Sequence, residues 1–368
     1  MRVLLVAGAA LSCLPVRGAQ AAEPDELVLY VYDSFVAEGG LGRALIPLFE
    51  SRCRCKVRTL ASGDSLQMIS RLEIDQERGQ SRGNRGGAEP GARGARGGDV
   101  IVGLDLQSWA RARKFVHQPV AVAPFPGQDL VPEVRVPETD EGFVPYDFGP
   151  MAFIADTEQL RKLGLPMPRS LRDLLKSEWK RNFIIEDPRT SAPGQGFALF
   201  ARAVFGADFA ARVGELRAQW LTLAPGWDQA YGLFLRKEAP LVWSYVTSQA
   251  YHAEHGDSAG RYRAVMLEEG APVQIEGAAL VSGVEKDPGK LRLARSFLDF
   301  LVSPSAQALI PARNWMLPAR KGVKLPPGFA ALPRPSKIVR LPVSSEEIAA
   351  GLRDWSRGLT GAGGGAGR

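Results

Sequence analysis

The chain is poor in the side chains that most often do chemistry. Its 368 residues include three histidines and three cysteines. His117 stands alone, and His252 and His255 lie three apart in HAEH, not four apart as a His-Glu-x-x-His zinc helix requires. Cys13 falls in an N-terminal leader, and Cys53 with Cys55 cannot by themselves make a zinc site. Their Cys-x-Cys spacing leaves two outcomes open, a small strained disulfide ring or two free thiols. There is no Gly-x-Ser-x-Gly nucleophile elbow and no Gly-Lys-Ser/Thr phosphate loop. Past the leader, no apolar run approaches the ~20 residues that span a bilayer. A basic footprint is lacking too. Of the formal +6, two charges are Arg2 and Arg17 of the leader, and two come from residues 75–98, where five arginines face three acids; the body keeps about +2. No nucleic-acid partner is expected from that balance.

What is present begins with a secretion signal over residues 1–21. Arg2 gives the positive start, Val3 to Leu14 the apolar run, and Ala19-Gln20-Ala21 the small-residue cleavage site. Simple cleavage fits better than lipid attachment at Cys13. The mature chain then alternates short apolar runs with amphipathic ones, which predicts an α/β protein with parallel or mixed sheets. Strands are expected at Leu27–Tyr32, Lys56–Leu60, Asp99–Leu104, Phe183–Ile185 and Leu241–Tyr245, with helices at Leu41–Ser51, Ser65–Ile74, Phe197–Phe205, Lys290–Val302, Ser305–Ile310 and Ser344–Arg357. Two longer extended stretches, Phe143–Asp156 and Pro272–Val284, are suited to crossing between lobes. The expected division is a discontinuous first lobe of residues 22–143 plus 271–343, a second of 144–270, and a C-terminal helix and frayed tail at 344–368. Residues 75–98, with the run GNRGGAEPGARGARGG, hold too little apolar surface to order themselves and are read as a disordered insertion.

Four places attract attention as candidate binding elements. PGWDQAYGLFLRKEAPLVWSYVTSQAYH joins a helix starting at Trp227 to a buried strand, and then to a polar loop leading to Tyr251. Aromatic groups at the carboxyl end of such a strand sit where open α/β sheets take ligands, so Trp227, Tyr245 and Tyr251 are candidates for one cleft, or for core. The loop Arg189–Gly196 precedes a helix; Ser191 is placed to hold a hydroxyl or phosphate, with Gly194 and Gly196 letting the ligand approach the backbone. Tyr32 and Asp33 follow the first strand, where the Asp33 carboxylate could meet a cationic or amino-bearing ligand or simply cap the next helix. Trp315 sits in a loop after a helix, either exposed in a site or plugging the space between lobes.

The strings YVYDSF, FVPYDFG, EDPRTSAPG, GWDQAYGLFL, SYVTSQAYH, FLVSPSAQALIP and RNWMLP, in this order and spacing, resemble the periplasmic thiamine-binding proteins of bacterial thiamine ABC transporters. The likeness covers nearly the whole mature chain. It implies a type II periplasmic-binding-protein fold, two α/β lobes with a ligand cleft between them, in a monomer of the periplasm. It also implies a site at Tyr32, Asp33, Ser191, Trp227, Tyr245, Tyr251 and Trp315. Thiamine, thiamine monophosphate and thiamine diphosphate would be the ligands, and permease and ATPase subunits the partners. No cofactor, metal or catalytic residue is implied. The family tends to place an acid followed by Trp after YDSF; here Glu38 is followed by Gly39, which removes one stacking wall. Two alternatives share the fold: a binding protein for ferric iron, held by Tyr245 and Tyr251, or for another small solute, and a thiamine-degrading enzyme with Cys53 or Cys55 as nucleophile.

Overall fold

A computed structural model of the chain describes residues 25–83, 97–117, 129–257 and 260–361. The leader, residues 84–96 of the Gly/Arg-rich run and the last seven residues of the tail lie outside it. Among the described residues eleven strands join in one hydrogen-bonded sheet, eight of them on its main path: β1 (Glu26–Val31), β2 (Lys56–Ala61), β3 (Val100–Asp105), β4 (Val144–Asp156), β5 (Phe183–Glu186), β6 (Trp220–Ala224), β7 (Leu241–Tyr245), β8 (Tyr262–Val265), β9 (Ala271–Leu280), β10 (Leu317–Pro318) and β11 (Ile338–Val339). Their order is β2-β1-β3-β9-β4-β7-β5-β6, with β8 and β10 on β4 and β11 on β9. β1, β2 and β3 are parallel, as are β5, β6 and β7. Apart from its first residue β1 is buried, and β3 and β7 are buried throughout, as expected of parallel strands covered on both faces by helices.

β4 links the two halves. Residues 144–150 pair antiparallel with β9, and residues 151–155 pair antiparallel with β7. It passes through Gly149-Pro150 unbroken at the point where its partner changes from β9 to β7. The two parallel sets run in opposite directions and both end at the middle of this strand. Asp105, the last residue of β3, lies opposite Glu276 of β9, which lies opposite Asp147 of β4. Tyr245, the last residue of β7, lies opposite Met151, four positions further along the same strand. Carboxyl ends of strands from both halves therefore converge on one region.

Several elements differ from expectation. The helix after β2 runs Ser65–Gly83, through nine residues of the supposed insertion, because Asp75 accepts from the Tyr30 hydroxyl (2.9 Å) and Gln76 donates to the Ser282 carbonyl (3.1 Å). Thr247-Ser248-Gln249 is not a free loop; Ser248–Glu254 is helical and carries Tyr251. Leu48, which helical spacing groups on one side with Leu45 and Phe49, is exposed, whereas those two enter the core. The expected Ser305–Ile310 helix is two short ones, Pro304–Gln307 and Ile310–Arg313. Cys53 and Cys55 are joined by a disulfide.

Candidate functional site

The loop following β5 shows how local sequence builds the site. Ser191 is an N-cap, its Oγ accepting from Gly194 N (3.4 Å), and the helix starts at Ala192 with Pro193 in its first turn. This corrects the reading of the glycines. A Cβ on Gly194 would lie 2.6 Å from the Glu186 carbonyl, and one on Gly196 would lie 2.6 Å from Met151 Sδ. They are small so that helix and strand can pack, not to admit a ligand. Ser191 remains within reach of the other half: its Oγ donates to Asp64 Oδ2 (2.9 Å).

Asp64, in the turn after β2, is a hub that sequence reasoning missed. Its Oδ2 also accepts from Trp227 N (3.1 Å), and its Oδ1 accepts from Ser65 N and Oγ. One carboxylate thus spans from the first half to two elements of the second. Asp33 is beside it, exchanging bonds with Gly63: Asp33 N donates to the Gly63 carbonyl (2.8 Å) and Gly63 N donates to Asp33 Oδ1 (2.9 Å). Asp33 therefore does not cap the helix it begins. Asp228, next to Trp227, is held up at about 6, first by burial and then by the charges of Asp64 and Asp33.

The aromatic candidates fall into two groups. Trp227 is half-buried, stacks on Tyr231 at 4.7 Å, and donates from Nε1 to Ser244 Oγ (2.8 Å). Behind it Tyr231 meets His252 Nε2 at 2.8 Å, and His252 stacks on Tyr262 at 3.8 Å. Tyr251 packs edge-on against Trp315 at 5.1 Å, with His255 beside both. Among the described residues Trp227 makes no direct ring contact with this second group; the two are linked through Tyr231 and His252, whose ring meets Tyr251 edge-on at 5.2 Å. Trp315 has φ of 54°, in the left-handed region, where a residue with a large side chain is strained. Such strain persists where surrounding structure imposes it, and it tends to mark functional positions.

Tyr245 lies deeper, and Tyr32 is half-buried beside the acids. The Tyr32 hydroxyl donates to Asn314 Oδ1 (3.1 Å) and approaches Glu276 Oε2 (3.4 Å), while Asn314 Nδ2 donates to Asp147 Oδ2 (2.6 Å). Tyr245 is buried, and its hydroxyl is pushed up by that burial and by the charges of Glu276, Asp64, Glu186 and Asp105. Among these acids only Asp33 had been singled out in the sequence. Asp64, Asp105 and Glu186 do carry a legible signal, since each follows or ends a parallel strand. Glu276 and Asp147 lie inside long strands and have none. The disulfide leaves neither cysteine as a thiolate nucleophile.

Aromatic side chains and buried acids thus gather where two parallel strand sets meet at a shared crossing strand, the end of the strands at which open α/β folds take ligands, an arrangement of the class of bacterial solute receptors. The model for the bacterial extracellular solute-binding protein family matches residues 99–331, and the chain belongs to that family. Within it the chain is similar to the thiamine-binding periplasmic proteins. That of Brucella abortus is 39% identical over 336 residues, covering 90% of each chain. That of Escherichia coli is 34% identical, covering 89% of this chain and 90% of its own. A solved periplasmic thiamin binding protein superposes with a TM-score of 0.76 at 33% identity, over 95% of this chain and 99% of that one.

Proposed function

We propose that the protein captures thiamine in the periplasm, together with thiamine monophosphate and diphosphate, and delivers it to the permease and ATPase subunits of an ABC importer. The observation that supports this most is the gathering of tryptophan and tyrosine side chains around buried acids that form no ion pair among the described residues. A permanently positive thiazolium supplies the missing charge, and aromatic faces attract it by ~0.5–2 kcal/mol each. The names of the relatives point the same way.

In this reading Trp227, Tyr251 and Trp315 are the stacking walls, with Tyr245 and Tyr32 on the floor. Asp33 faces the charge or the exocyclic amine, and Ser191 takes the hydroxyethyl arm or its phosphate. Residues 22–143 plus 271–343 and residues 144–270 act as two lobes that close on the ligand, with β4 and β9 as the crossing strands. The protein works as a monomer and has no catalytic role. Titrating refolded, ligand-free protein with thiamine and its two phosphates by calorimetry tests the assignment. One-site binding is expected, with scattering showing compaction on closure; absence of heat with all three overturns it.

A further inference from the structure

The floor of the cleft holds acids in an arrangement that costs energy unless something offsets it. Asp105, Glu276 and Asp147 stand abreast, in register, on the adjacent strands β3, β9 and β4. Like charges directly opposite one another in a sheet repel, and burial removes the water that would screen them. Glu186 ends β5; it is fully buried and neither carboxylate oxygen has a hydrogen-bond partner. Asp105 Oδ2 and Asp147 Oδ1 are likewise buried without partners.

The groups facing this floor offer donors but no charge to match it. Tyr146, on β4, donates to Glu276 Oε2 (2.8 Å), and Gln274, on β9, donates to Glu276 Oε1 (2.9 Å). Tyr32 and Asn314 enter from the loops after β1 and before β10, Tyr245 from β7, and Asp64 from the turn after β2. Among the described residues, no lysine, arginine or histidine forms an ion pair with Asp64, Asp105, Asp147, Glu186 or Glu276. A buried carboxyl group without a cation takes a proton in preference to keeping its charge. Burial accordingly holds Glu276 at about 7 and Asp105 at about 6, and raises Glu186 and Asp147 well above the usual carboxylate range.

We propose that this floor is a proton reservoir coupled to the cargo: in mildly acidic solution the empty protein holds Glu186 and Glu276 largely as carboxylic acids, and an organic cation entering between the strand sets displaces at least one proton. In that step one carboxyl O–H bond breaks, the proton passes to solvent, and the carboxylate left behind becomes the counter-ion of the bound cation. The coupling is reciprocal, so acidification favours release of the cargo. The inference rests on the reading of the cleft as a thiamine site.

Thiamine binding is measured by calorimetry at pH 6.5 in PIPES and in ACES, buffers that take up protons with different heats. Different apparent heats, of the sign of proton release, are expected, with Kd weakening ~tenfold per pH unit below about pH 7. Because the aminopyrimidine of thiamine titrates as well, Glu186→Gln and Glu276→Gln assign the proton; each is expected to shrink the buffer difference. Equal heats in both buffers with a flat Kd between pH 5.5 and 7.5, or a buffer difference unchanged in both variants, overturn the proposal. If the variants fail to fold, infrared spectra of the wild-type protein decide. A protonated-carboxyl carbonyl band in the empty protein, lost on adding thiamine, is the expected result. Absence of the band from the empty protein at pH 6.5 overturns the reservoir even if no heat is seen in either buffer, an outcome that would overturn the thiamine reading separately.

Discussion

Trp227 and Trp243 are sixteen residues apart and have opposite surroundings, which makes them a matched pair for asking what each indole does. Trp243 is buried, donates to the Pro193 carbonyl (3.0 Å) and packs among Phe153, Phe197 and Phe200. Trp227 is half-buried with one face against Tyr231. Trp243→Ala is expected to cost ~3–5 kcal/mol of folding stability through the cavity it leaves. Trp227→Ala should cost less stability and weaken thiamine binding by ~1–3 kcal/mol. Denaturant melts and calorimetry on both variants check this; equal stability losses with unchanged affinity would make Trp227 a core residue. Trp315 offers a test with opposite signs. It follows the Ile310–Arg313 helix in a left-handed conformation that glycine adopts without strain. Trp315→Gly should therefore stay within ~1 kcal/mol of wild-type stability, strain relief of ~1–2 kcal/mol offsetting lost ring contacts, while thiamine binding falls at least tenfold. A large drop in melting temperature with intact binding would assign the indole to packing.

At the scale of elements, period and punctuation made most of the chain legible. The helix starting at Trp227 was readable from the sequence, though it ends at Leu235, short of Pro240, which lies just ahead of β7. The Ser170 capping box, closed by Asp173, is a local motif, and Glu269 from far along the chain reinforces it by accepting from the Ser170 hydroxyl (2.5 Å). Where the reading fell short, a distant contact decided. The Ser65–Gly83 helix outlasts its apolar stripe because Tyr30 and Ser282 hold its third turn. The Gly/Arg-rich run is accordingly shorter than composition suggested, and residues 84–96 can be replaced by a short Gly/Ser linker. Stability should change by no more than ~0.5 kcal/mol, with thiamine affinity unchanged. A fall in melting temperature of many degrees would show that this run packs on the domain.

For the whole molecule, the buried acids set the sign of the pH dependence. Glu276 near 7, and Asp105 and Asp228 near 6, bind protons in the folded protein over a range where the unfolded chain, titrating near 4, does not. Protonation between those values favours the folded state, so stability is gained as pH falls from about 7.5 to 5 and lost as it rises again. His252 opposes this: burial first, with the positive charges near it, lowers it to about 4, so it favours the folded state above about 6.5 and withdraws that support on acidification. Three acids against one imidazole predict a melting temperature for the empty protein that is higher at pH 5.5 than at pH 7.5. Saturating thiamine should flatten or invert that trend, because the cation stabilises the charged carboxylates. Thermal melts at the two pH values, with and without ligand, check it; a higher melting temperature at pH 7.5 in the empty protein would reverse the sign argued here.

The sequence alone determined the alternation of strands and helices and the aromatic candidates at strand and helix ends, since periodicity, caps and turn residues are local. Asp33 was visible for the same reason, lying just past an apolar strand. Only the tertiary structure decided that Asp64 joins Ser191 to Trp227, and that Asp105, Glu276 and Asp147 form one row. Those pairings depend on the register of β3, β9 and β4, which are far apart in the chain. A one-residue slip there would turn Glu276 to the other face of the sheet. A lone acid within an apolar strand reads as an anomaly until the neighbouring strands show what it faces.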